Sequence, residues 1–389
     1  MGDLYRRLKR LKKQQGGAGR RSTAPGSAAS PGTQRAADGA REPDFSGLDT
    51  WRRVAPLVFV RETEESLPHA VRGSISSRLL GRVVSTDELC FMDTETTGLS
   101  GGAGTTVFLV GGGVIKDGVV RVSQALLADF PGEPEFLEEV ARMLGRAVWV
   151  SYNGKAFDAR LLESRFLMNG RPPLAPEQLD LLYWSRRLWK HRLERCSLGD
   201  VERGVLERGR RDDIPGIEIP DRYFRFLAER DASGLGEVFE HHRLDIVSLV
   251  HLFLRIEDVL RDPISDGGVD AFRLGRWLLR TGDERGIDLL ERAALTTGSA
   301  DAIAAACLVS RTLRRRGEVA RALGLLERSP SNGELPIVVE RAKLFEHDLR
   351  DPGSALETVE AYLRRSGEPA TMPELERRLE RLRRKVGRP

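Results

Sequence analysis

A mixed β-sheet domain of the α/β class, flanked by helices and followed by an all-α helical-repeat region, is what this sequence predicts. Three observations carry that expectation. Short apolar runs bounded by turn residues recur between positions 88 and 152 and read as buried strands. Helical periods interleave with and follow them as far as about residue 256. Beyond residue 265 the pattern is helical only, and three of its segments resemble one another.

Residues 1–48 form a basic, largely disordered segment by composition. Leu4, Leu8 and Leu11 make one stripe of a short basic amphipathic helix, marginal alone in water, and residues 15–43 are rich in Gly, Ala, Ser, Pro and Thr. Residues 49–264 form the α/β domain. Strand-like pieces lie between Trp51 and Val84, with strands near 88–95, 105–115 and 119–127. A helix follows near 133–145, then a strand near 147–152. Asn153-Gly154 punctuates the chain, and a helix from about Lys155 carries Phe157, Leu161, Leu162, Phe166 and Leu167 at helical spacing. Apolar positions 246, 249, 250, 253 and 256 make a further amphipathic helix. From 265 to 370 the repeated segments start at Gly282, Gly317 and Arg350, a period near 34 that reads as tetratricopeptide-like helix pairs. Residues 371–389 read as a basic tail.

Asp93-Thr94-Glu95 ends the apolar run Leu89-Cys90-Phe91-Met92, and residues two apart on a strand share a face. Two carboxylates about 4 Å apart repel by roughly 4 kcal/mol at an effective dielectric near 20. No basic residue lies between Asp87 and Lys116, so a neutralising partner is either a distant Arg or Lys or a bound divalent cation. Asp158 sits in a helical first turn, where a dipole or capping role is the ordinary one. His241 and Asp245, four apart, lie on one helix face.

The order Asp-x-Glu, then Asn153-x-x-x-Phe157-Asp158, then His shortly before Asp245 resembles the DEDD 3′–5′ exonuclease superfamily. Its YprB-like, ribonuclease H-like branch is similar also at Gly102-Ala103-Gly104-Thr105, Phe108-Leu109-Val110-Gly111, Asp180-Leu181-Leu182, Cys196-Ser197-Leu198 and Asp213-Ile214-Pro215-Gly216. The resemblance covers about residues 50–260. It implies a ribonuclease H-like fold in which Asp93, Glu95, Asp158 and Asp245 hold two Mg²⁺ or Mn²⁺ ions and a phosphodiester is hydrolysed by in-line attack. It implies His241 as general base. The family's His usually stands five residues before the last Asp, a position held here by Glu240; His241 occupies the spacing of the Tyr-containing branch, and His242 is the alternative. Thr97, Leu99, Asn153 and Phe157 would contact substrate, single-stranded DNA or RNA, although Phe157 and Leu99 also suit a core and Thr97 a turn. Asp180 reads first as a structural hydrogen-bonding residue, and Lys155 as exposed.

Other classes are disfavoured. The glycine-rich stretch 98–106 lacks the lysine of a phosphate-binding P-loop, and Gly111-Gly112-Gly113 is followed by no helix pattern, so it is no dinucleotide fingerprint. No apolar run approaches the roughly 18 residues a membrane span needs. Cys90, Cys196 and Cys307 are scattered, which suits a reducing, cytoplasmic setting. Residues 1–42 carry 10 Lys/Arg against 3 Asp/Glu, and 374–389 carry 7 against 3, so the ends are basic while the net charge is only +4. Basic ends attract polyanions. The competing expectation is a non-catalytic nucleic-acid-binding or protein adaptor that keeps the fold and uses its helical repeats.

Overall fold

The computed structural model describes residues 45–67, 71, 73–98, 104–210, 213–366 and 373–387. The amphipathic stripe, the 15–43 segment and Leu99 lie outside them. The chain divides into two compact units. One holds the described residues through Leu182 together with Arg208–Leu254; the other holds Tyr183–Glu207 and the described residues from Arg255 onward.

The first unit contains strands β1 (Arg52–Ala55), β2 (Val58–Ser66), β3 (Ser74–Ser77), β4 (Arg82–Ser85), β5 (Leu89–Thr96), β6 (Val107–Lys116), β7 (Val119–Leu127), β8 (Val148–Ser151) and β9 (Glu177–Asp180). Seven of them form one mixed sheet in the order β1-β2-β7-β6-β5-β8-β9, while β3 and β4 pair as a separate hairpin. The strands near 88–95, 105–115, 119–127 and 147–152 and the helix near 133–145 stand where the sequence periods put them. β1 and β2 fall among the strand-like pieces expected between Trp51 and Val84, and β9 extends the sheet beyond that reading.

Local chemistry explains the connections. β6 turns into β7 through Asp117 and Gly118, at φ 51° and 81°, the pair of left-handed residues a two-residue hairpin favours. The helix Glu133–Leu144 then carries the chain over the sheet to β8, which pairs parallel to β5 as a crossover permits. β5, β8 and β9 run parallel, and such strands present a crevice beyond their carboxyl ends. The β5–β8 register ends at Phe91 opposite Val150, so Asp93–Thr96 run past the end of β8 into that crevice.

The part of the helix Gly236–Arg261 within this unit packs on the sheet with Ile246, Leu249, Val250 and Phe253 buried. Gly111 and Gly113 on β6 make this approach feasible. A Cβ at Gly111 would stand 2.1 Å from Ile246 Cδ1 and 2.5 Å from His242 Cε1; one at Gly113 would stand 2.5 Å from Ile246 Cγ2. The glycine run therefore serves close packing of helix on strand.

The second unit is helical. Ala271–Arg280 precedes Arg285–Ala294, Ala300–Arg315 precedes Val319–Arg328, and Leu335–Lys343 with its π-helical continuation Leu344–Asp348 precedes Pro352–Ser366. Gly282, Gly317 and Arg350, the starts of the repeated segments, all take positive φ, at 83°, 80° and 54°, in the turns within these pairs. The repetition in sequence is thus a repeated left-handed turn. Residues 371–389 require a correction to the expected tail: Pro373–Val386 is a helix with Leu375 and Leu382 buried and Leu379 partly so. The stripe 375, 379, 382 is apolar, but the surrounding Arg and Glu residues mask it in composition.

Candidate metal centre

Three elements deliver four acids to the crevice. Asp93 and Glu95 come from the end of β5, Asp158 opens the helix Asp158–Met168, and Asp245 projects from the Gly236–Arg261 helix. Among the described residues, one group of His, Cys, Asp and Glu side chains has its ligand atoms all within 4.8 Å of one another: Glu95, His241 and Asp245. Asp93 and Asp158 border this group. The Asp93 carboxyl is held well above its ordinary range by burial first, then by repulsion from Asp245, Asp158 and Glu95. Burial likewise raises Glu95, reinforced by Asp245, Asp158 and Asp213. Asp158 is raised by burial, while the Thr94 hydroxyl, which donates to its Oδ1, works the other way.

The turn before Asp158 is tightly built. Asn153 takes φ 66°, and its N–H donates to Asp180 Oδ1 at 2.8 Å, which also accepts from Leu182 N at 3.0 Å. Asp180 thus does the structural hydrogen bonding expected of it. A Cβ at Gly154 would meet Ser151 Oγ at 2.5 Å and Asp158 Oδ2 at 3.2 Å, so only glycine lets the turn pass under the carboxylate. The helix begins at Asp158 rather than near Lys155, and Lys155 is exposed. Phe157 and Leu167, expected on its apolar face, are 55% and 58% exposed, whereas Leu162 and Phe166 fill the core. Thr97 is buried; its hydroxyl accepts from Thr106 N at 2.9 Å and ties the end of β5 to the start of β6.

The adjacent histidines have opposite surroundings. His241 Nδ1 lies 2.7 Å from Asp213 Oδ1, and its Nε2 lies 3.4 Å from Asp245 Oδ2, inside the acidic group. His242 is fully buried. Its Nδ1 lies 2.9 Å from Gln124 Nε2 and its Nε2 3.1 Å from the main-chain oxygen of Asp93. Burial lowers the His242 pKa to about 3, so this imidazole is neutral at physiological pH and ill suited to shuttle a proton.

Sequence reasoning missed Arg210 and gave Asp213 no role, naming it only within the segment Asp213-Ile214-Pro215-Gly216. The Arg210 guanidinium bonds Asp245 Oδ1 and lies 3.4 Å from Asp213 Oδ2 and from His241 Nδ1. It is a basic partner from far along the chain for Asp245 and Asp213. Among the described residues, the Arg210 guanidinium stands against Asp93, Glu95, Asp158, Asp213 and Asp245, and the repulsion that adds to burial in raising Asp93 and Glu95 comes from these acids. Hard carboxylate oxygens converging at one crevice fit a hard divalent cation, whose charge offsets both repulsion and burial.

Residues 90–256 match the family model described as the RNase_H superfamily. The uncharacterized protein YprB of Bacillus subtilis (strain 168) is 32% identical over 312 residues, covering 78% of this chain and 75% of YprB.

Proposed function

Since the chain belongs to the ribonuclease H superfamily and to the family that includes YprB, we propose that it is a metal-dependent nuclease acting from the 3′ end of single-stranded nucleic acid. The observation that carries this reading is the set of mutually repelling carboxylates, Asp93, Glu95, Asp158 and Asp245, at one crevice. These four would hold two Mg²⁺ or Mn²⁺ ions, which when bound supply charge stabilisation at the phosphodiester and lower the pKa of the attacking water. His241 accepts that water's proton, and Asp213, 2.7 Å from Nδ1, orients the ring and stabilises the imidazolium that forms. Phe157, exposed beside Asp158, offers a ring face on which a terminal base stacks. Asn153 belongs to the turn bordering the same crevice, and Thr97 holds the β5 end in place beside it.

The three cysteines are free and buried, which fits a reducing cytoplasmic setting. No helix among the described residues is long and apolar enough to cross a membrane. The helical unit, with its repeated left-handed turns, is assigned as a tetratricopeptide-like platform for a protein partner.

The test uses 5′-labelled single-stranded DNA and RNA with free or blocked 3′ ends, with Mg²⁺ or Mn²⁺. The wild type shortens the free-ended strand stepwise and spares the blocked one, while Asp93→Ala is inert. Equal degradation by both proteins, or none by the wild type on any substrate, overturns the reading, and the second result favours an adaptor.

A further inference from the structure

A chain of side-chain hydrogen bonds crosses the sheet beneath the acidic crevice. It starts at Arg61 on β2, whose guanidinium carries donors only. Arg61 Nε and Nη2 donate to Gln124 Oε1 at 3.2 and 2.7 Å. The guanidinium is seated 5.3 Å from the Trp51 ring and 5.7 Å from the Phe239 ring. With its oxygen so engaged, the Gln124 amide presents Nε2 to the other side, where it donates to Phe239 O and to His242 Nδ1, both at 2.9 Å. An Nδ1 that accepts leaves the ring proton on Nε2, which points at the Asp93 carbonyl oxygen 3.1 Å away. Gln124 and His242 are both fully buried, so no water competes for these bonds. The imidazole fits only because Gly111 has no Cβ.

We infer that His242, set in one tautomer by Gln124, is a positioning residue that holds the main chain of Asp93 and thereby aims the Asp93 and Glu95 carboxylates into the crevice. The inference rests on the proposed function for its consequence, while its readout is separate. Gln124 also holds Phe239 O, but it reaches Asp93 only through His242, so towards Asp93 the two residues form one device rather than two contributions. Residues that orient metal ligands from behind typically change affinity or activity by about 10- to 100-fold.

The test compares His242→Phe, which fills the ring volume without nitrogens, with His242→Gln, whose amide nitrogen reaches near the place of Nε2. Gln124→Met and the double variant His242→Phe/Gln124→Met complete the set. Mn²⁺ binding to the full chain is followed by electron paramagnetic resonance, folding by thermal melting, and turnover as kcat and KM separately. His242→Phe and Gln124→Met are expected to melt cooperatively, to bind Mn²⁺ about 10-fold more weakly or worse, and to lose kcat with KM nearly unchanged. His242→Gln recovers part of both, and the double variant is no worse than His242→Phe. Should His242→Phe fail to fold, Gln124→Met carries the same expectation. Wild-type Mn²⁺ affinity in a folded His242→Phe or Gln124→Met, or additive losses in the double variant, overturns the inference. A wild type that binds Mn²⁺ but cleaves nothing overturns the nuclease reading instead, leaving this one readable in the ion affinities.

Discussion

The two units each bury negative charge, and they treat it in opposite ways. In the helical unit the Glu346 side chain is wholly buried, yet Arg378, Arg381 and Lys385 reach its oxygens at 2.8–2.9 Å and His347 stands 3.5 Å away. Hydrogen bonding from Arg381 above all, with Lys385 adding to it, lowers its pKa to about 2. In the sheet unit, burial and mutual repulsion push Asp93 and Glu95 upward. A carboxylate supplied with cations from its own chain is a fastener, here closing the Pro373–Val386 helix onto its neighbours. A cluster of acids that repel one another is a place for something else to bind. Basic residues 378, 381 and 385 are thus spent on Glu346, which weakens the case for the C-terminal segment as a polyanion lure.

The contrast breaks most visibly at Asp93. Asp93→Asn is expected to lower nuclease activity at least about 100-fold, as loss of a ligand to the reacting centre should. The same substitution relieves repulsion, so in chelator the variant melts no lower than the wild type. A drop in melting temperature comparable to a core deletion would contradict that. Glu346→Gln has the opposite profile. It costs about 3 kcal/mol of stability by stranding the surrounding cations, seen as a lower melting temperature of the helical unit.

The pH dependences differ in sign. Glu346 has a folded pKa below its unfolded value, so its contribution is full above about pH 4.5 and is lost as pH falls towards 2. Asp93 and Glu95 have folded pKa values above their unfolded ones. In chelator they therefore favour the folded state at low pH, and that advantage declines as pH rises from about 4. Melting curves of Asp93→Asn and Glu346→Gln against wild type over this range separate the two contributions.

Two smaller effects sharpen the comparison. Gly111→Ala forces a methyl into Ile246 and His242 and is expected to cost about 1–3 kcal/mol by chemical denaturation, with activity reduced further as the Asp245 helix shifts. In the helical unit, Arg350 holds at φ 54° a position that Gly282 and Gly317 fill in the preceding turns. Arg350→Gly should stabilise by about 1 kcal/mol or less, read as a raised denaturation midpoint.

Much of this was legible in the sequence because periodicity encodes it. The apolar run into Asp93, the 246–256 stripe and the repeat starts at Gly282 and Gly317 all report backbone geometry directly. The two histidines show where the reading stopped short. His242 lies four residues before Ile246 and so belongs to the buried stripe, while His241 lies four before Asp245 on the acidic one; that phase relation was available as a sign that they differ. Gly111 and Gly113 were recognisable as non-fingerprint glycines, but their use depends on a helix more than 120 residues later. Arg210 and Asp213 sit outside any periodic element, and only the tertiary fold brings them to His241 and Asp245. Phe157 kept its helical spacing yet stands outside the helix, whose first residue is Asp158.

Anomalous scattering from Mn²⁺ in crystals of the wild-type chain tests the central claim most directly. The account predicts density within coordination distance of oxygens from Asp93, Glu95, Asp158 and Asp245 together, and its loss in Asp93→Asn. Mn²⁺ density that avoids these carboxylates, in a crystal where the ion binds elsewhere on the chain, would contradict it.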